Sequence, residues 1–282
     1  MKLLVTGGGG QLGRSLVRRA GAHTVVALLR SKLDIRDAGA LAAALSTHAP
    51  DAVINTAGFT GVDAAEHAPA LASEVNAGAA GLVAGACAER GVPLLHVSTD
   101  YVFDGEGARP IVEADTPRPV NAYGRSKAEG EQRVRDAGGT VVRTSWLFAA
   151  AGPSFVQTIT RLALRDRELR VVADQAGRPT WAPDLADALI ALAALAERPP
   201  CVHVCGDGAT TWHEFAAAIV EGVRMYRTIP CERVVPITTA EYPTPARRPA
   251  YSVLDTTLAR SLGLPIRPWR SGLARTLAEE LA

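Results

Sequence analysis

The chain has 282 residues, 48% of them hydrophobic and 21% charged, the balance of an ordinary soluble globular protein. That length can bury a full core and divide into a large and a small lobe. A net charge of +1 argues against nucleic acid or an anionic membrane surface as a partner, while leaving room for a local phosphate pocket.

Short runs rich in Val, Leu and Ile at 2–6, 23–29, 52–56, 93–98 and 140–146 read as strands. Between them, 11–20, 38–47, 70–90 and 120–135 read as helices. This alternation predicts an α/β fold, a Rossmann-type doubly wound parallel sheet, and apolar runs such as LLV and VVALL suit strands covered on both faces. Beyond residue 146 the pattern loosens. Stretches 155–164, 183–196, 211–225 and 271–281 read as helices and 202–204 as a buried strand, with Thr210 or Thr211 as N-cap and Glu214 in the first turn of the third helix. The proline-rich segment 238–249, which carries Arg247 and Arg248, reads as an ordered loop over a cleft. The expected organisation is a dinucleotide-binding domain over 1–150, completed by about 171–204. A smaller C-terminal substrate lobe is expected over 205–282, with a contribution from about 151–170.

Four cysteines in a chain that needs no staples match the usage of a reducing, cytosolic compartment. The apolar run Leu3 to Val5 leads directly into glycines, so no signal peptide is read, and the apolar stretch 188–196 is too short to span a bilayer. A cytoplasmic location is the expectation.

The first strand ends in TGGGGQLG, from Thr6 to Gly13. Gly7, Gly10 and Gly13 permit a sharp turn and close approach to a pyrophosphate, and the amides of Gln11 and Leu12 open the following helix toward the anion. Strand, glycine loop and helix in that order are the context such a motif requires. At the end of the second strand, where NAD sites usually carry Asp or Glu, stand Arg30, Ser31 and Lys32. Their charge suits a 2′-phosphate and favours NADPH, with NADH left open and a solvated basic turn as the plain alternative. Asp34 and Ile35, in LDIRD, are expected near the adenine edge.

Tyr123 and Lys127 stand four residues apart, just over one helical turn, so they project from one face. A phenol with a pKa of about 10 exchanges protons poorly at neutral pH, and a neighbouring lysine cation is expected to bring it down. The strand before them ends in Ser98, Thr99, Asp100 and Tyr101, on the side where open parallel sheets bind ligands. Glycine loop, hydroxyl and lysine-assisted tyrosine together point to carbonyl–alcohol redox chemistry with a nicotinamide cofactor.

The chain resembles the extended short-chain dehydrogenase/reductases, and within them the dTDP-4-dehydrorhamnose reductase family. The segments that carry the resemblance run nearly end to end: TGGGGQLG, LDIRD, NTAGFTGVDAAE, the helix around Asn76, STDYVFDG, NAYGRSKAEGE, VRTSW, DQAGRPTWAPDLA, TTWHEF and RRPAYSVLD. The resemblance implies Thr99, Tyr123 and Lys127 as the catalytic triad. It implies Asn55, Ala57, Gly58 and Thr60 against the cofactor, with Tyr123 and Lys127 also touching it. Val62, Asp100, Tyr101 and Trp146 would contact the sugar, with Arg178, Thr180 and Arg248 near the diphosphate or cleft rim. It further implies hydride delivery to C4 of a 4-keto-6-deoxyhexose carried on a nucleotide. Ser15 stands where that family carries a glutamate linked to a magnesium-bridged dimer. A neutral hydroxyl is a poor Mg²⁺ ligand, so magnesium is doubtful and a homodimer stays open.

Cys201, His203 and Cys205 alternate and would share a strand face, but a buried strand explains them better than a metal. His96 reads as a satisfied interior histidine, and Arg161, Arg165, Arg167 and Arg170 as a solvated face. Two other functions share the motifs. One is a non-catalytic NADP-binding regulatory subunit, as in the partner of methionine adenosyltransferase; the other is a sugar-nucleotide epimerase or dehydratase.

Overall fold

The computed structural model describes residues 1–150 and 152–281. Ala151 and Ala282, which bound the two expected lobe segments, lie outside the described residues.

β1 (Lys2–Thr6) passes through the glycine loop into α1 (Gln11–Arg18), followed by β2 (Thr24–Leu28), α2 (Ala38–His48) and β3 (Ala52–Asn55). A short α3 (Val62–His67) precedes a helical run made of α4 (Pro69–Ser73), a π-helical turn at Glu74–Ala79 and α5 (Ala80–Ala88). Then come β4 (Leu94–Thr99), α6 (Ala122–Asp136) and β5 (Thr140–Thr144). The second half holds β6 (Leu147–Phe148), α7 (Phe155–Ala163), β7 (Glu168–Val172), β8 (Ala176–Gly177), β9 (Thr180–Trp181), α8 (Ala182–Ala193) and β10 (Cys201–His203). It closes with β11 (Thr210–Thr211), α9 (Trp212–Arg224), β12 (Arg233–Ile237), α10 (Thr257–Ser261) and α11 (Trp269–Leu281).

Side chains of the central strands alternate between two apolar layers. Leu3 and Val5 of β1 face α1 and α8 with Leu16, Leu185 and Leu189, while Leu4 faces α2, α5 and α6 with Leu41, Val83 and Val134. The six strands are all parallel in the order β10-β5-β4-β3-β1-β2. The order reverses between β1 and β3, so the crevice beyond their carboxyl ends is the switch point where doubly wound sheets take ligands.

A second core gathers Phe148, Ile159, Trp181, Phe215, Ile219, Trp269 and Leu273 between α7, α9 and α11, against a parallel pair of β7 and β12. Neither strand of that pair is among the sequence expectations. Both carry charged ends, and Pro236 interrupts the second, so the apolar run is too short to signal a strand. α9 starts as anticipated: Thr211 accepts from Glu214 N, and Glu214 returns to Thr211 N at 3.0 Å, a capping box.

The expected single helix over 70–90 is a composite. Its span Pro69–Ala88 has a mean hydropathy of 1.2, long and apolar enough by composition to cross a membrane. Here it is a core element, with Ala79, Ala80, Val83, Ala84 and Cys87 packed in the layer beneath the sheet. The π-helical turn at its middle bulges around Asn76.

Candidate active site

α6 carries the two residues singled out by their spacing. Asn121 caps it by accepting from Gly124 N at 2.7 Å, and Arg133 and Arg135 occupy its last turn, where they complement the helix dipole. The helix presses hard on its neighbours: a methyl group at Gly124 would overlap the Tyr101 carbonyl, and one at Gly130 the Asn76 carbonyl. Tyr123 and Lys127 are thereby brought beside the end of β4, both buried.

Lys127 Nζ donates to the Val97 carbonyl at 2.7 Å and lies 3.2 Å from His96 Nε2. Burial brings its pKa down to about 8, against the opposing field of Glu131 one turn on. Tyr123 departs from the sequence expectation. Its phenol is pushed up to about 12, first by burial, with the Thr99 hydroxyl pulling it down and Asp100 pushing it up. Desolvation is the largest influence on this phenol. At neutral pH the tyrosine is therefore a neutral phenol that keeps its proton. Thr99 Oγ1 donates to Asp100 Oδ1 at 3.0 Å and accepts from Tyr101 N at 3.2 Å. Burial raises the Asp100 carboxyl to about 6.

Three adjoining cavities run along the strand ends. The central one, of about 490 Å³, is lined by Gly10, Gln11, Leu12, Ala57, Gly58, Thr60, Val62, Thr99, Asp100, Tyr101, Tyr123, Lys127 and Trp146. It shares Gly10 and the segment from Thr56 to Thr60 with a second cavity, which adds Gly7, Arg30, Asp34, Ile35 and Arg36. It shares Tyr101 and Trp212 with a third, which adds Phe155, Arg170, Gln175, Tyr242 and Arg248. Most of the anticipated residues thus meet in one crevice.

Gly13, Asn55, Arg178 and Thr180 do not line it. Gly13 supports the loop from below, packed on Gly7 and Gly8. Asn55 is fully buried, its Oδ1 accepting from Thr6 Oγ1 at 2.6 Å and from Ala57 N at 3.1 Å, so it holds the loop that does line the crevice. Arg178 lines none of the three cavities; its guanidinium turns toward Thr256 at 3.4 Å and Asp207 at 3.9 Å. Thr180 is likewise buried, starting β9.

The cradle suits a dinucleotide. α1 begins at Gly10 with no side-chain cap and no acid in its first turn, so its leading amides are not taken up by a cap. Gly7, at φ +72°, passes so close to Ala57 N that a β-carbon there would sit 2.7 Å away. Deeper in, the hydroxyls of Ser98 and Thr144 are buried, unpartnered and on the central cavity wall. At the far end Arg30 is largely exposed, while Arg36 pairs with Asp34 at 2.6 Å and Glu74 at 3.0 Å. That pairing holds the Asp34 carboxyl down at about 2.

Some lining residues escaped sequence reasoning. Arg170 read as part of a solvated face, and Arg36 was not singled out. Asn76 was visible only as part of a helix, yet its side-chain amide clamps Phe59 through both backbone groups, at 2.8 and 2.9 Å, and donates to Ser126 at 2.9 Å. Trp212 stacks on Trp146, ring centroids 3.6 Å apart and 9° from parallel, and Trp146 holds a left-handed backbone at φ +48°. No local signal marks such a pair 66 residues apart.

Ser15 is buried, with its hydroxyl donating to the Gln11 carbonyl at 2.8 Å inside α1. Among the described residues no cluster of three or more His, Cys, Asp or Glu side chains is arranged to hold a metal ion.

A family model described as RmlD substrate binding domain matches residues 1–282. The chain belongs to that family. It is 43% identical over 288 residues to a dTDP-4-dehydrorhamnose reductase of Burkholderia thailandensis, covering 96% of each chain. It is 41% identical over 290 residues to a probable dTDP-4,6-dihydroxy-2-methyloxan-3-one 4-ketoreductase of Streptomyces antibioticus, covering 100% of this chain and 96% of that one. The crystal structure of dTDP-4-dehydrorhamnose reductase from Bacillus anthracis in complex with NADP superposes with a TM-score of 0.92 at 34% identity, over 99% of each chain. The RmlD family and its extended short-chain dehydrogenase/reductase fold are those anticipated from the motifs.

Proposed function

We propose that this chain is an NADPH-dependent reductase acting on the 4-keto group of a dTDP-activated 6-deoxyhexose, with conversion of dTDP-4-dehydro-L-rhamnose to dTDP-L-rhamnose as its reaction. One observation carries the reading. Tyr123, Thr99 and Lys127 converge on the wall of a crevice with an uncapped, glycine-lined helix start at one end and an arginine-bearing cavity at the other. The names of the relatives and the NADP in the Bacillus anthracis structure support it.

On this reading Gly7, Gly10 and the leading amides of α1 hold the cofactor diphosphate, and Arg30, with Arg36 behind it, faces the 2′-phosphate. A reduced nicotinamide bound there supplies the hydride. Tyr123, protonated at neutral pH, gives its phenolic proton to the carbonyl oxygen as charge builds on it: the phenol O–H bond breaks, a new O–H bond forms, and the phenolate regains a proton from solvent. The Thr99 hydroxyl turns its hydrogen from Asp100 toward the same oxygen. Lys127 holds the cofactor ribose. Trp146 and Trp212 wall in the sugar, and Arg248 with Arg170 draws the substrate diphosphate into the outer cavity. The substrate lobe on this reading is the second core, 205–282 with part of 151–170.

The test is direct. Pure protein, NADPH and a panel of dTDP- and UDP-4-keto sugars, including the substrate class of the Streptomyces antibioticus relative, are followed by absorbance at the nicotinamide band. Oxidation dependent on a dTDP-4-keto-6-deoxyhexose, without a partner protein, is expected. Silence across the panel overturns the reading.

A further inference from the structure

The loop that carries Arg248 belongs to the C-terminal half of the chain, yet three consecutive residues of it are fastened to the N-terminal half. Ala246 N donates to Asp63 Oδ1 at 3.2 Å, the Arg247 carbonyl accepts from Asn121 Nδ2 at 2.8 Å, and Arg248 Nη2 donates to Asp63 Oδ2 at 2.9 Å. Asp63 stands in the first turn of α3, next to Val62 on the central cavity wall. Asn121 caps α6, and Glu66 of α3 accepts from Ala122 N at 2.7 Å, so the two fastening points are themselves joined. Just beyond the arginine, Pro249 packs on Gly105 so closely that a β-carbon there would sit 2.6 Å away, and Tyr251 N donates to the Gly105 carbonyl at 3.1 Å.

The backbone on both sides of Arg248 is therefore fixed. What remains to be set is the direction of a long side chain with many rotamers. Asp63 sets it by taking one of the five guanidinium N–H groups. Nη1 is buried without a partner, so the fork still lacks an acceptor. The residue lies on the wall of the outer cavity, beside Tyr101.

An acid against an anion-binding cation has two opposed effects. Its charge repels the ligand, while its hydrogen bond removes rotamer freedom that the arginine would otherwise lose on binding. The Asp63 side chain is 40% exposed, so water screens the repulsion, whereas the ordering is kept. Burial pushes the Asp63 carboxyl up, but the bonds from Arg248 and Ala246 hold it below its ordinary value, so the pair is charged at neutral pH.

We propose that Asp63 is a positioning residue for the outer cavity: it orders Arg248 to receive the diphosphate of a nucleotide-linked substrate and thereby sets affinity for that group. The proposal rests on the keto-sugar reading above and adds to it a residue whose own side chain lines none of the three cavities.

Calorimetric titration of the full-length protein with dTDP alone tests it. Asp63→Asn, which keeps the shape and turns an NH₂ or a neutral oxygen to the guanidinium, is expected to weaken dTDP binding by about 3- to 10-fold while NADPH binding stays as in the parent. With a dTDP-4-keto sugar, KM should rise by more than kcat falls. Adding Asp63→Asn to Arg248→Ala should cost nothing beyond Arg248→Ala itself, because the acid acts through the arginine. Unchanged or tighter dTDP binding in Asp63→Asn overturns the proposal, since repulsion then outweighs ordering. An additive loss in the double variant, or a parallel loss of NADPH binding, overturns it as well. If Asp63→Asn does not fold, Asp63→Glu decides: it keeps the charge but shifts the guanidinium, so weaker dTDP binding with NADPH binding intact supports the proposal and unchanged dTDP binding overturns it. A parent that fails to bind dTDP sinks the keto-sugar reading and this proposal together; a parent that binds it equally well without Asp63 sinks this proposal alone.

Discussion

Lys127 and Val97 are joined across two elements: the lysine Nζ on α6 donates to the carbonyl on β4 at 2.7 Å. The bond ties the helix that carries Tyr123 to the strand that ends in Thr99. Tyr123 and Thr99 are thus fixed relative to each other by a buried tether.

Removing only the phenolic oxygen should therefore leave this frame standing. Tyr123→Phe is expected to keep its thermal midpoint and NADPH affinity while turnover falls by about 10²–10⁴-fold. Calorimetry, cofactor titration and steady-state rates check the three parts; near-normal turnover would remove Tyr123 as proton donor.

Asp100 is buried with Oδ2 unpartnered, and its pKa rises from 3.8 to about 6. The folded protein thus binds a proton more readily than the unfolded chain. The stability this gives is full below pH 3.8 and is lost as pH rises through 6. Asp100→Asn removes the buried charge, so the variant should gain up to about 3 kcal/mol over the parent above pH 6 and little at pH 4. Thermal melts at the two pH values test the sign. Equal effects at both would mean the carboxyl is ionised throughout.

At the Asp34 end of the crevice, proposed to take the adenosine, Arg30 is the guanidinium least committed to a partner, with only Asp34 at 4.0 Å among the described residues. Arg30→Glu should raise the KM for NADPH by about 10- to 100-fold, the scale of one charge-assisted phosphate contact, and leave that for NADH nearly unchanged. Parallel loss with both cofactors would place Arg30 outside 2′-phosphate recognition.

The contact between Gly130 and the Asn76 carbonyl leaves no room for a side chain. Gly130→Ala should force α6 off the π-helical turn, costing about 1–3 kcal/mol. Because Asn76 also clamps Phe59, cofactor affinity should fall with stability. A variant as stable as the parent would show that α6 and the turn are loosely packed.

Glu131 and Arg143 form a fully buried pair at 2.7 Å behind Lys127. Arg143→Met is expected to destabilise by about 3–5 kcal/mol, because it strands the carboxylate in the core. Chemical denaturation measures this; a neutral effect would mean that Glu131 takes up a proton instead.

Much of this was legible in the residues themselves. The five strands of the first half and the helices between them were readable because each strand carries a run of Val, Leu or Ile that packs between two layers. The glycine loop and the pairing of Tyr123 with Lys127 were legible because both depend on spacings within about one turn of chain. β7 and β12 were not: each is half exposed, and each finds its partner about 60 residues away.

The sequence by itself determined the sheet, the glycine loop, the tyrosine on its helix and the family, since each rests on local pattern and residue type. Only the tertiary structure decided the charges. Burial lifts the Tyr123 phenol to about 12 and brings Lys127 down to about 8, the reverse of the simple picture in which one cation acidifies one phenol. It also sent Arg178 away from the crevice and stacked Trp212 on Trp146. The physical reason is that proton affinity and contact depend on what surrounds a group in three dimensions, and for these residues the surroundings come from strands and helices distant along the chain.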